Sequence, residues 1–244
     1  MASPSVVFVS DAHFALPVDA AERQRRRSFL DFLASLHGVE QLVIAGDLFQ
    51  FWFDLGGTLP KGHFDVLEGL ARLRRSGTRI DYLAGNHDYW RSRFFRDELG
   101  IDTYPEGLEL ATQGRRVLVL HGDGAGPGDH GYKMLKRVVR HPATIALGRT
   151  LHPDTLYALA RRVDRWSHRH TSQQHLDEGR LETAARQAFA RGFDALVLGH
   201  VHTQLHRRLE GGELVVIGDW LTLFSFVRLQ GGVFTPGRWE HTGA

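Results

Sequence analysis

The stretch YLAGNHDYW, residues 82–90, puts Asn86, His87 and Asp88 directly behind a short apolar run and a glycine. A strand end that only had to turn would need one such residue. The same arrangement recurs along the chain. VVFVS at 6–10 runs into Asp11 and His13, LVIAGD at 42–47 ends on Asp47, RVLVLHGD at 116–123 carries His121 and Asp123, and ALVLGHVH at 195–202 ends on His200 and His202. Each run is short, rich in β-branched residues and closed by glycine or polar residues, as buried strands are.

Helical patterns around 19–36 and 62–75 separate the first three runs, so the chain opens β-α-β-α-β. Beyond the Gly-rich segment GDGAGPGDHG at 122–131 come about forty residues of basic, apolar, helical pattern. In that segment Leu156, Leu159, Val163 and Trp166 recur at helical spacing, with Arg161, Arg162, Arg165 and Arg169 mainly on the other side. Another helix near 177–191 leads into a largely β last third containing LVVIGDW and FSFVRL. The order predicts an α/β fold in which two packed mixed β-sheets are flanked by helices. It is expected as a single domain over 1–244, with a helical insertion at about 124–172.

Composition narrows the chemistry. There is no cysteine among the 244 residues, which removes disulfides and thiolate sites and suits a reducing compartment. Any metal must bind through His, Asp, Glu or Asn. The opening MASPSVVFVSDAH has no basic region ahead of its apolar run and reads as a first strand, not a signal peptide. No apolar run approaches the roughly 18 residues that span a bilayer, so membrane contact would be peripheral. Residues 133–170 hold nine Lys or Arg against two Asp, a local excess of +7 that suits an anionic partner.

Each strand end has a bland explanation when taken singly. Asp11 and His13 suit a helix cap or a solvated loop, Asp47 and Asn86 suit turns, His121 suits a satisfied core histidine, and one of His200 and His202 suits plain exposure. In α/β sheets, however, ligands bind outside the carboxyl ends of strands. Five polar strand ends in the order D-X-H, G-D, G-N-H-D, H-G-D, G-H-X-H point to a dinuclear metal site.

With the blocks SDAH, GDLF, GNHD, HGD and GHVH, the chain resembles the calcineurin-like metallophosphoesterases over nearly its whole length. The resemblance implies that Asp11, His13, Asp47 and His202 hold one divalent ion and that Asp47, Asn86, His121 and His200 hold the other. Mn²⁺ is the expected metal, with Fe²⁺ and Zn²⁺ the alternatives for a donor set of nitrogen and oxygen. Two such ions sharing a carboxylate suit hydrolysis of a phosphate ester. His87 is expected to act at the scissile phosphate, stabilising its transition state or protonating the leaving oxygen, with Asp88 orienting its ring.

The surroundings suggest the substrate. GDLFQFWF sets Phe49, Phe51, Trp52 and Phe53 right after a metal ligand, which reads either as core packing or as an apolar wall. Together with SDAHF, the D-X-X-Y of Asp129 and Tyr132 and the basic insertion, this is similar to the UDP-2,3-diacylglucosamine hydrolase branch of lipid A biosynthesis. That resemblance implies a nucleotide-sugar lipid substrate, substrate contacts from Asp129 and Tyr132, and an insertion that forms an acyl-chain chamber. It also implies peripheral contact with anionic lipid at the inner face of the cytoplasmic membrane. Lys133, Lys136, Arg137 and Arg140 are candidates to pair phosphate or membrane anions. The best-known members of the branch carry Arg where His87 stands. A metallophosphoesterase for another nucleotide-lipid or a soluble phosphodiester is therefore the alternative, and a non-catalytic scaffold a minor one. Nucleic acid is not an expected partner, and the sequence leaves the oligomeric state open.

Overall fold

A computed structural model describes residues 4–53, 58–88, 93–123, 138, 141–170 and 178–240. Its first sheet grows from apolar strands buried on both faces: β1 (Ser5–Val9), β2 (Gln41–Ile44) and β3 (Arg79–Leu83), all parallel. The short β4 (Asp102–Tyr104) extends this parallel set beyond β3. On the other side of β1, β10 (Ser225–Gln230) and β11 (Val233–Arg238) add antiparallel, giving the order β11-β10-β1-β2-β3-β4. The second sheet runs β5-β6-β7-β9-β8, built from β5 (Leu108–Thr112), β6 (Arg115–Leu120), β7 (Ala195–Leu198), β8 (Leu205–Leu209) and β9 (Gly212–Val216). Its middle strands β6, β7 and β9 are parallel and its edges antiparallel, so both sheets are mixed.

The period-2 alternation of strands assigns each residue to a layer. Val6 and Phe8 of β1 join Val117, Val119, Val197, Val215 and Val227 in the core between the sheets. Val7 and Val9 face the other way, onto α1 (Ala20–Ser35) and α2 (Phe64–Arg75), where Phe29, Phe32, Leu67 and Leu70 bury them. Phe32 packs 4.5 Å from the ring of Trp220, and truncating it to Ala would cost about 3–5 kcal/mol. The outer face of the second sheet is covered by α6 (Glu178–Ala190) through Leu181, Ala185 and Ala188. Two mixed sheets between helical layers are the architecture expected from the order of elements.

Register then prepares the site. Val9 pairs with Ile44, Ile44 with Tyr82, and Leu120 with Leu198. Strands β1, β2 and β3 therefore finish level with one another, as do β6 and β7, and each releases its polar sequel just past the last pair.

Within the expected insertion, α3 (Arg93–Asp97) having closed the earlier β3 to β4 connection, the described helices are α4 (Pro142–Gly148) and α5 (Pro153–His170). Asp129, Tyr132, Lys133, Lys136, Arg137 and Arg140 lie outside the described residues. The face predicted for α5 is corrected in part. Leu156 and Ala160, four apart, pack on Phe51 and Phe53, with Tyr157 beside them, whereas Leu159 is 51% exposed. The contact is centred between the turns of Leu156 and Ala160, which rotates Leu159 out of it. The aromatic run after Asp47 also divides. Phe49 and Trp52 belong to the core beneath α1 and α2, and Phe51 and Phe53 meet the insertion.

Candidate metal centre

The five strand sequels meet at one place, which the backbone bonds already require. Asp11 N–H donates to the Gly46 carbonyl at 3.1 Å, His13 N–H to that of Asp47 at 2.9 Å, and Gly199 N–H to that of His121 at 3.0 Å. Asp11, His13, Asp47, His200 and His202 all adopt left-handed backbone, with φ between 46° and 66°. That conformation is uncommon outside glycine, though Asp and His tolerate it better than most, and it turns each side chain sharply off the end of its strand. Glycines make the close approach possible. A Cβ on Gly85 would overlap the Asp47 carboxylate, and one on Gly199 would overlap Ser10 Oγ and press on Asp11.

The side chains fall into three overlapping groups whose ligand atoms lie within 4.8 Å of one another: Asp11, Asp47, His121 and His200; Asp11, His13 and His202; and His13, Asp47 and His87. Asn86 joins through its Oδ1, 2.9 Å from His121 Nε2. Asp11 and Asp47 each belong to two groups. Asp11, His13, Asp47, Asn86, His87, His121, His200 and His202 are thus gathered here, while Asp123 acts on the same site through its charge on His121 and His200.

The unsatisfied atoms identify what the cluster suits. Asp11 Oδ1 and Asp47 Oδ2 are buried without a hydrogen bond, as is His13 Nδ1. Yet Asp11 Oδ1 is 3.4 Å from His202 Nε2 and 3.6 Å from His13 Nε2, and Asp47 Oδ2 is 3.3 Å from His121 Nε2 and 3.8 Å from His13 Nε2. These gaps are mostly too long for good hydrogen bonds. They approach the roughly 3–3.5 Å between two atoms that each bind one ion at about 2.1 Å. Orphaned buried carboxylate oxygens facing imidazole nitrogens fit divalent cations, and the all nitrogen and oxygen set fits the metals expected.

The outer partners are equally ordered. The second oxygen of Asp11 accepts from Ser10 Oγ and from His200 N–H, the latter at 2.7 Å, and Asp47 Oδ1 accepts from His87 N–H at 2.8 Å. His121 Nδ1 faces the Ala45 carbonyl at 2.8 Å and keeps its proton there, so Nε2 is the nitrogen that would face a metal.

His87 has an orienting partner that the sequence did not announce. Its Nδ1 sits 2.7 Å from the Gln50 carbonyl oxygen, so this backbone group, not Asp88, sets the ring. Asp88 does different work: its carboxylate accepts from Asp47 N–H at 3.1 Å, Gly85 N–H at 2.8 Å and Tyr82 OH at 2.6 Å. It ties the β2 and β3 sequels together. Asp219, in the loop after β9, was also invisible in advance; its carboxylate lies 3.6 Å from His202 Nδ1 on the side away from Asp11.

Electrostatics agree with a site awaiting positive charge. Burial opposes ionisation of Asp11 and Asp47, but the imidazoles around them prevail and hold both well below the usual carboxylate range. His121 resists burial through the Asp47 carboxylate and is raised to about 10, whereas burial and the neighbouring His121 lower His200 to about 4. Asp88 is pushed up to about 6 by burial and by the charge of Asp47.

Beside this cluster opens a cavity of about 240 Å³ lined by Phe14, Leu16, Phe51, His63, Tyr157 and Arg161 among others. Phe51 connects the two, since its ring stacks at 5.6 Å on His87. Among the described residues no helix is long and apolar enough to cross a membrane.

A family profile described as calcineurin-like phosphoesterase matches residues 4–204. UDP-2,3-diacylglucosamine hydrolase of Pseudomonas aeruginosa is 30% identical over 223 residues, 88% of this chain and 91% of that protein. The protein of the same name from Ectopseudomonas mendocina is 28% identical over 246 residues, 98% of this chain and all of its own length.

Proposed function

Because the chain belongs to the calcineurin-like phosphoesterases, and so is a metal-dependent phosphoester hydrolase, we propose that it cleaves the pyrophosphate of UDP-2,3-diacylglucosamine to UMP and 2,3-diacylglucosamine 1-phosphate. The observation that carries this reading is the cavity beside Phe51 and His87, whose walls combine the apolar Phe14, Leu16, Phe51 and Tyr157 with the polar Gln50, His63 and Arg161. It offers an apolar chain a place while a phosphate meets the metal cluster. The name carried by relatives that match most of this chain supports the same substrate.

In this reading Asp11, His13, Asp47 and His202 hold one ion, and Asp47, Asn86, His121 and His200 the other, with Asp47 shared. When bound, the two ions, Mn²⁺ in this proposal, supply Lewis-acid stabilisation of the reacting phosphoryl group and lower the pKa of water. His87 Nδ1 donates its proton to the Gln50 carbonyl, so Nε2 is the nitrogen that would hydrogen-bond the phosphate and, when protonated, give its proton to the leaving oxygen. Asp88 keeps the Asp47 and Gly85 backbone in place. Phe51 fixes the inner face of the His87 ring and excludes water from that side. Asp129 and Tyr132 are proposed substrate contacts, and the region of α4 and α5 a cap on a single domain.

An amphiphilic substrate resides in a membrane, and the exposed residues of α4, α5 and the turn between them suit that encounter. Leu147, Leu151 and Leu159 are exposed there together with Arg149, Arg161 and Arg162. Apolar side chains beside cations match an anionic lipid surface, which supports a peripheral position at the cytoplasmic face of the membrane in this reading.

The deciding assay incubates the Mn²⁺-loaded protein with UDP-2,3-diacylglucosamine in detergent and measures UMP. One observation favours a second reading: His87, standing where the resemblance implies Arg, falls within the His13 and Asp47 group. Turnover of bis(p-nitrophenyl) phosphate without UMP release would select another nucleotide-lipid or a soluble phosphodiester.

A further inference from the structure

The loop from Ser10 to Ala15 carries Asp11 and His13 and passes twice through left-handed backbone, so its pairing with the β2 sequel is reduced to an isolated parallel bridge between Phe14 and Phe49. All six of its carbonyls nevertheless have donors. Trp220 N–H serves Ser10 and Asp11 at 3.2 Å, Gln50 N–H serves Phe14 at 3.0 Å, and Arg26 Nη2 serves Ala15 at 2.9 Å. The remaining two, Ala12 and His13, both receive hydrogen bonds from the guanidinium of Arg25, that to His13 at 3.2 Å. Arg25 is 8% exposed, lies over the Phe14 ring at 4.8 Å, and is paired with Glu22.

Glu22 in turn binds Arg26 Nε at 2.8 Å and accepts from Ala15 N–H at 3.0 Å, while Asp19 caps the helix by accepting from Glu22 N–H at 2.8 Å. The first turns of α1 are therefore a buried, charge-paired frame around the loop. Burying an arginine is costly, and here the cost is offset by the Glu22 carboxylate and by a fork that spans two consecutive carbonyls.

We propose that Arg25 is a positioning residue for one half of the metal centre: it locks the Ala12 and His13 peptides so that Asp11 and His13 aim at a common ion with His202. The opposite half, with Asn86, His121 and His200, hangs from other strand ends and meets this loop through Asp11, whose second oxygen accepts from His200 N–H, so the loss of Arg25 falls mainly on the first half. The proposal rests on the reading that these residues hold two ions.

The test titrates metal-free protein with Mn²⁺, following affinity by calorimetry and coupling by electron paramagnetic resonance. Wild type takes two ions and gives an exchange-coupled signal. Arg25→Lys keeps the charge but loses the fork. It takes the first ion as wild type does and the second at least tenfold more weakly, with an uncoupled six-line signal at one equivalent. Arg25→Met shows the same asymmetry more strongly; if it does not fold, Arg25→Lys decides. Equal weakening of both ions, or two ions at wild-type affinity, overturns the positioning role. A wild type that takes fewer than two ions refutes the two-ion reading itself, and the proposal with it.

Discussion

His87 points its Nδ1 at the carbonyl oxygen of Gln50, 2.7 Å away, across the gap between the β3 and β2 sequels. A backbone acceptor cannot be mutated away, so the ring is steered by the path of the chain. The side chain proposed to act on the phosphate can be. His87→Ala should keep both ions and turn over at least about a hundredfold more slowly, the usual worth of a general acid or base. Elemental analysis alongside steady-state kinetics checks this, and a fall in metal content would make His87 a ligand instead.

Asp47 is the converse case. It belongs to two of the three ligand groups and also holds the His87 N–H. Asp47→Ala should reduce metal content from two ions to at most one and abolish turnover. Retention of two ions by the purified variant would contradict the shared role.

His63 gives a pH signature away from the metals. It is 1% exposed, stacks 4.4 Å from Phe49, and has its Nδ1 3.2 Å from Arg26 Nη2. Burial and the Arg26 charge lower its pKa to about 3 from 6.5. The unfolded chain then binds the proton more readily than the folded one between these values. The stability due to neutral His63 is complete above about pH 6.5 and is lost progressively as pH falls toward 3, by up to about 1.4 kcal/mol per pH unit. Urea melts of wild type and His63→Gln in chelator at pH 7.5 and 5.0 should give a shallower loss for the variant; equal slopes would remove His63 from the account.

Membrane contact is open to a direct trial. Leu147→Glu combined with Leu159→Glu places charge at two exposed apolar positions, where folding is barely affected. Cosedimentation with phosphatidylglycerol vesicles should fall several-fold while hydrolysis of bis(p-nitrophenyl) phosphate is unchanged. Undiminished sedimentation would move the docking surface elsewhere.

The layout of the fold and the gathering of Asp11, His13, Asp47, Asn86, His121, His200 and His202 were legible because strands announce themselves by period and a ligand site sits beyond their carboxyl ends. Helix α1 shows where legibility stops. ERQRRR reads as a solvated stripe, and only the packing of the loop over it shows that Glu22, Arg25 and Arg26 are interior. Its one local signal, Glu22 three and four residues ahead of two arginines, says that they pair and not that they are buried. Likewise the partner of His87 is a carbonyl, which has no letter in a sequence, and Leu159 matched the helical period but missed the contact by the rotation of one residue, about 100° from Ala160.

Left-handed backbone at Asp11, His13, Asp47, His200 and His202 means that this part of the polypeptide is held taut whether or not cations are present. Ions that bind only the native arrangement offset that tension, by about 2.7 kcal/mol for each site at a concentration one hundred times its Kd. The heat resistance of the enzyme is thereby tied to the supply of its metals: a cell starved of them would hold a protein that melts sooner and is degraded sooner, so that abundance follows availability without any dedicated sensor.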